Sequence, residues 1–163
     1  MKYYLGVLIL GCLLLSGCSV SNLNRLDQIN TSGPISGVSA TKLDLSNQNL
    51  TKIPDYVFSQ TNLEELNVSN NKLTGSIQAE IRQLKNLKVL NASNNQLSGV
   101  PAEIGQLENL QVVDLSNNLL TGLPYELGNL KNLQTLNISG NKYSEADLGV
   151  ILKGLSVGVS VIK

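Results

Sequence analysis

From Ala40 onward the apolar and polar positions of this chain recur every 23 or 24 residues. Successive units open at Ala40 (a weak first copy), Leu63, Leu87, Leu110 and Leu133, at intervals of 23, 24, 23 and 23 residues. Counted from there, the fourth position is Leu43, Leu66, Leu90, Val113 and Leu136, and the sixth is Leu45, Val68, Ala92, Leu115 and Ile138. The eleventh is Leu50, Leu73, Leu97, Leu120 and Tyr143. Apolar fourth and sixth positions around a polar fifth predict a short strand, because alternate side chains of a strand share a face. A second apolar pair follows in each unit: Ile53/Val57, Ile77/Ile81, Val100/Ile104 and Leu123/Leu127. It closes the coil on its far side, where Pro54, Pro101 and Pro124 fix the turn by locking φ. No single unit can bury its own apolar face, so the units must stack into a solenoid with a continuous aliphatic core.

The polar positions repeat as well. Asn71, Asn95, Asn118 and Asn141 hold the ninth place, where the chain bends out of the strand inside the stack. Such a bend takes backbone N–H and C=O groups away from water, which is costly unless they are paired. A carboxamide both donates and accepts, so one Asn per coil can form a ladder that satisfies them. Gln48 stands at that place in the first copy, which predicts an imperfect ladder there. A second column, Asn62, Asn86, Asn109 and Asn132, precedes each opening Leu and is expected to turn the chain into the strand.

This pattern resembles the leucine-rich repeat family over about residues 40–163. The resemblance implies an α/β solenoid, a leucine-rich repeat horseshoe of about five repeats of 23–24 residues. The second unit, Leu73-Thr74-Gly75-Ser76-Ile77, is similar to the L-T-G-x-I-P form of plant-type repeats, with Gln78 in place of Pro. That unit is one residue longer than its neighbours, so an irregularity is expected between the second and third coils. Beyond Asn141 the period ends. Ser144-x-x-Asp147 can cap a helix, Leu148, Ile151, Leu152 and Leu155 share a helical face, and Gly154 or Gly158 can stop it. Val157–Ile162 then alternates like a last strand, which makes residues 143–163 a helix-strand cap over the final core layer.

The N-terminus has a different character. One positive charge at Lys2 precedes an almost unbroken apolar run, Tyr3–Leu15, too short to span a bilayer comfortably and matching the hydrophobic region of a signal peptide. It ends in Leu15-Ser16-Gly17-Cys18, which resembles the lipobox of bacterial lipoproteins. That resemblance implies removal of residues 1–17, diacylglycerol on the Cys18 thiol and an N-acyl chain on its amine. It also implies a bacterial cell envelope location, at the outer membrane if the cell has one and otherwise at the outer face of the plasma membrane. Ser19 at the next position resembles the outer-membrane-sorted class. Residues 18–37, rich in Ser, Asn and Gly, read as a flexible tether, although Leu23, Leu26 and Ile29 have the spacing of one helical turn or a small cap. Residues 38–163 form the repeat domain. With Cys12 removed and Cys18 acylated, no thiol remains for a disulfide, a metal or nucleophilic catalysis.

Composition narrows the function. Twelve basic and twelve acidic residues give zero formal charge, which argues against a nucleic-acid partner. There is no His, the commonest general base, and no Gly-rich phosphate loop or metal-ligand cluster, so the chain reads as a non-enzyme without a cofactor other than its lipids. The family usually meets partners on the concave strand face, here Lys42, Asp44, Glu65, Asn67, Lys88, Val89, Asn91, Val112, Asp114 and Thr135. Val89 and Val112 are neighbouring apolar residues on an otherwise polar face; they fit the centre of a contact patch ringed by Lys88, Glu65, Asp114 and Gln134, or plain β-propensity. Five strands give a face only ~20–25 Å across, at or below the ~800 Å² per side of a standard interface. The expected function is a monomeric, membrane-anchored protein-binding module, the alternative a structural or adhesive lipoprotein that binds glycan or wall polymer. The tripeptides Asn30-Thr-Ser, Asn49-Leu-Thr, Asn67-Val-Ser, Asn91-Ala-Ser and Asn137-Ile-Ser match a glycosylation acceptor pattern, but most are by-products of the strand consensus, and the bacterial cell that the lipobox implies discounts them.

Overall fold

The computed structural model describes residues 40–163; the signal segment, Cys18 and the tether lie outside the described residues. Each unit contributes one three-residue strand to a parallel sheet. These are β1 (Lys42–Asp44), β2 (Glu65–Asn67), β4 (Val89–Asn91), β6 (Val112–Asp114) and β7 (Thr135–Asn137), followed by β8 (Ser160–Ile162) from the cap. The order β1-β2-β4-β6-β7-β8 follows the chain, so every coil lies on the one before it. Parallel strands need a long crossover, and here the first four each carry a 3-10 turn, Asp55–Ser59, Ala79–Gln83, Ala102–Gln106 and Tyr125–Asn129, while the last, from β7 to β8, carries a helix. Pro54, Pro101 and Pro124 stand just ahead of three of these turns, with φ between −61° and −75°. Gln78 adopts the same conformation ahead of the fourth (φ −66°, ψ 140°), and its amide donates to the Ile53 carbonyl, so loss of the ring does not alter the backbone.

The fourth, sixth and eleventh positions of the inner coils are buried, as are the pairs that close each coil. A further column, Leu84, Leu107 and Leu130, is fully buried although the repeat pattern did not flag it. It follows the last three 3-10 turns, Gln60 standing after the first, and each of its carbonyls accepts from the N–H of the opening Leu of the next unit. Burying one Leu contributes roughly 1.5–3 kcal/mol, and the stack multiplies that by coil. Leu43 and Leu50 are only half-buried in the first coil.

The extra residue of the second unit sits in a small second sheet, β3 (Thr74–Ser76) paired with β5 (Gln96–Gly99). The register shifts between Gly75 and Ser76, which absorbs it, and Gly75 takes φ +69° there. Helix α1 (Glu145–Gly154) starts at Ser144, whose hydroxyl accepts from the Asp147 N–H at 3.3 Å. Leu148 and Ile151 are buried and Leu155 half-buried, but Leu152 is 44% exposed. At 100° per residue the contact centres between the first three, and Leu152 falls on its rim. The helix stops at Gly154; Gly158 instead makes the turn into β8, at φ +96°.

The ninth-position amides link coil to coil. Asn95 Nδ2 lies 3.0 Å from the Val68 carbonyl of the preceding coil and 3.1 Å from those of Ala92 and Ser93, while its Oδ1 accepts from the Leu73 N–H at 3.0 Å. Asn71, Asn118 and Asn141 repeat this arrangement, the last half-buried rather than buried. In the first coil, where Gln48 replaces Asn, the Gln48 and Leu50 N–H groups both donate to Asn71 Oδ1. The second Asn column sits in the turns that lead into the strands, as expected, and has a further task. Asn86, Asn109 and Asn132 are exposed and donate to the Thr61, Lys85 and Glu108 carbonyls of the preceding coil at 2.8–2.9 Å, an outer ladder opposite the inner one.

Candidate functional site

In-register pairing turns the outward positions of the sheet into rows that cross the strands. One row runs Lys42, Glu65, Val89, Val112, Thr135, Ser160; the next runs Asp44, Asn67, Asn91, Asp114, Asn137, Ile162. Every concave residue expected from the sequence except Lys88 lies in these two rows, and Lys88 immediately precedes β4. Val89 and Val112 are direct cross-strand partners, with Thr135 beside Val112, so three half-buried side chains with methyl groups stand in line. Two ion pairs stand beside them: Lys42 with Glu65 at 2.7 Å and Lys88 with Glu64 at 2.9 Å. The adjacent carboxylates Glu64 and Glu65 are therefore held by different lysines. A shallow depression of about 390 Å³ opens over the first three strands, lined by Lys42, Asp44, Glu65, Asn67, Val89 and Asn91.

The Asx row also serves the backbone. In Asp44, Asn67, Asn91, Asp114 and Asn137 the side-chain Oδ1 accepts the N–H two residues on, from Ser46, Ser69, Ser93, Ser116 and Ser139 respectively, at 2.9–3.2 Å. These are Asx turns that end each strand. In the last three the Ser hydroxyl donates to the same oxygen at 2.7–2.8 Å. The signal for this role was present as Asp/Asn-x-Ser in all five units, visible in part as the glycosylation-like tripeptides. One residue later the chain takes positive φ at Asn47, Asn70, Asn94, Asn117 and Gly140, a conformation Asn and Gly tolerate.

A second cavity, of about 570 Å³, lies away from this face. Lys85 and Lys131 line it, and both donate to backbone carbonyls, of Gln106 and of Gly128 and Gly154. Among the described residues no group of His, Cys, Asp and Glu can hold a metal ion, and no helix is long and apolar enough to cross a membrane. What the concave face offers is flat polar area around a small apolar centre, an arrangement suited to contact.

A leucine-rich repeat model matches residues 39–97, and a model of two such repeats matches 85–126 and 108–149. The coils, the parallel sheet and these matches define a leucine-rich repeat domain, and the chain belongs to that family. A leucine-rich repeat protein of Leptospira interrogans is similar at 43% identity and a TM-score of 0.63, over 69% of this chain and 28% of that one. The leucine-rich repeat ectodomain of the receptor kinase SOBIR1 from Arabidopsis thaliana shares 35% identity at a TM-score of 0.55, over 60% of this chain and 54% of its own. A plant peptide hormone receptor, RGFR1, solved in complex with RGF2, shares 40% identity at a TM-score of 0.52, over 56% of this chain and 15% of its own. The chain thus spans little more than half of these relatives at most. No curated protein matches it. Leucine-rich repeat domains commonly mediate protein–protein interaction, and the fold is typically a non-enzymatic scaffold.

Proposed function

We propose that the chain is a lipid-anchored protein-binding module of a bacterial cell envelope whose concave sheet receives a protein partner. The observation that carries this is the line Val89, Val112 and Thr135, an apolar centre bordered by the ion pairs Lys42–Glu65 and Lys88–Glu64. Binding energy concentrates in such partly buried centres surrounded by polar groups that exclude water. Six strands at ~4.8 Å spacing give a face about 24 Å across, enough for a segment or a small domain edge. The similar receptor RGFR1 was solved with RGF2, which favours a protein ligand over a wall polymer. Leu15-Ser16-Gly17-Cys18 supports the anchor, with diacylglycerol and an N-acyl chain on Cys18. Two or three acyl chains hold a protein stably on a membrane, at roughly 0.8 kcal/mol per buried methylene. There the confined geometry strengthens a modest affinity.

The test is capture from an envelope extract on immobilised protein, comparing the native chain with Val89→Glu. A protein retained by the native chain and lost with Val89→Glu is expected. Equal retention by both would place the contact elsewhere, and retention of a polysaccharide in place of protein would favour the structural or adhesive alternative.

A further inference from the structure

Of the five Asx turns, three are made by Asn and two by Asp. The turn needs only one side-chain oxygen as acceptor, and Asn91 and Asn137, on either side of Asp114 in the row, provide it with an amide. The second oxygen of Asp114, and its charge, are therefore surplus to the fold. Ser116 N–H and Oγ both donate to Oδ1, at 2.9 and 2.7 Å, and Oδ2 has no hydrogen-bond or ion-pair partner among the described residues. The two lysines of this face are taken up by Glu65 and Glu64. A half-buried carboxylate thus stands without a cation beside the apolar centre, two residues along the strand from Val112. Two residues of strand span about 7 Å, which is also the distance between side chains i and i+2 of an extended segment.

We propose that the partner enters as an extended polypeptide segment carrying Lys or Arg two residues from an aliphatic or aromatic side chain. Asp114 takes the cation, while Val89 and Val112 take the apolar group. This deepens the reading of the concave face as a protein-docking surface and rests on it. Charge complementarity of this kind sets specificity and register more than raw affinity. Asp114 is then a specificity residue.

The test uses the full chain, detergent-solubilised and immobilised, panned against a phage-displayed library of random dodecapeptides. Enriched peptides should pair a basic residue with an apolar one two positions away. A fluorescein-labelled representative should bind Asp114→Asn about fivefold more weakly at low salt, and that difference should close near ~0.5 M salt as screening sets in. Asp114→Asn keeps the Asx turn, so its thermal midpoint should stay with that of the native chain. Val89→Glu should abolish binding while keeping the native circular dichroism spectrum. Enriched peptides that need Val89 but carry no basic residue, or bind Asp114→Asn undiminished, overturn the role of Asp114 and leave the docking face standing. Peptides that bind Val89→Glu as tightly as the native chain overturn the docking face itself. A library yielding no clone above bare beads overturns the extended-segment partner.

Discussion

Replacing Asn95 by Ala tests the inner ladder at a buried, central rung. The side chain is 8% exposed, and its amide hydrogens are shared among the Val68, Ala92 and Ser93 carbonyls. Each of those carbonyls keeps another donor after the substitution: Asn71 Nδ2 for Val68, Asn118 Nδ2 for Ala92 and the Asn70 N–H for Ser93. The Leu73 N–H is the group left stranded, because Asn95 Oδ1 is its one acceptor and Leu73 is buried. An unsatisfied buried donor costs about 1–3 kcal/mol, so a loss of about 2 kcal/mol is expected. With a urea dependence of roughly 1–3 kcal/mol per molar, the midpoint should fall by about 1 M. Asn94 is the natural comparison because it is exposed one residue away, but its φ is +55°. Ala there would add about 1–2 kcal/mol of left-handed strain of its own, so Asn94→Gly is the cleaner control and should cost only a few tenths. Asn95→Asp restores the acceptor but sets a carboxylate against three carbonyls, and should be at least as damaging as Asn95→Ala. The assay is equilibrium urea unfolding of residues 19–163 followed by circular dichroism. Midpoints for Asn95→Ala and Asn94→Gly within error of each other would refute the ladder as a source of stability.

Two glycines of α1 should respond in opposite directions to Ala. A Cβ at Gly149 meets nothing within 4 Å, so Gly149→Ala should raise thermal stability by up to about 1 kcal/mol through helix propensity. A Cβ at Gly154 would lie 2.8 Å from the Gly128 carbonyl, so Gly154→Ala should lower it by about 1–3 kcal/mol; like signs in calorimetry would contradict the packing of α1 on the last 3-10 turn. Cys18→Ser should abolish metabolic labelling with palmitate in the native host, and labelling that persists would remove Cys18 as the acylation site.

The fold was legible because its signal is repeated: an accidental Leu in one unit is cancelled by the others. The Leu84, Leu107 and Leu130 column escaped because it follows a 3-10 turn, where three-residue spacing is easily taken for loop. Helical spacing alone puts Leu152 inward, although which arc of a helix is covered depends on the shape beneath it. The outer Asn column does lie in turns, as its place before each opening Leu implies, but its bonds run 24 or 25 residues back along the chain, a distance that only stacking reveals. At the candidate site, identities such as Asp114 rather than Asn are free of packing constraints. They are visible in the sequence but acquire meaning only when the register sets them beside Val112 and two neutral neighbours.

The glycines of the far side carry one more consequence. At Gly105 a side chain would collide with the Glu126 carbonyl, and at Gly128 it would press on the backbone of α1. The corresponding places in the first two coils hold Phe58 and Arg82. On the sheet side, backbone hydrogen bonds hold neighbouring coils at one fixed distance, whatever the side chains. On the opposite side the distance is set by the bulk placed between coils, and here that bulk falls to nothing toward the C-terminus. Each coil is a wedge whose thin edge is constant and whose thick edge depends on the side chains packed behind the sheet, Gly105 and Gly128 among the smallest. The bend of the sheet can therefore be retuned by substitutions on its back, leaving every residue of its concave face unchanged.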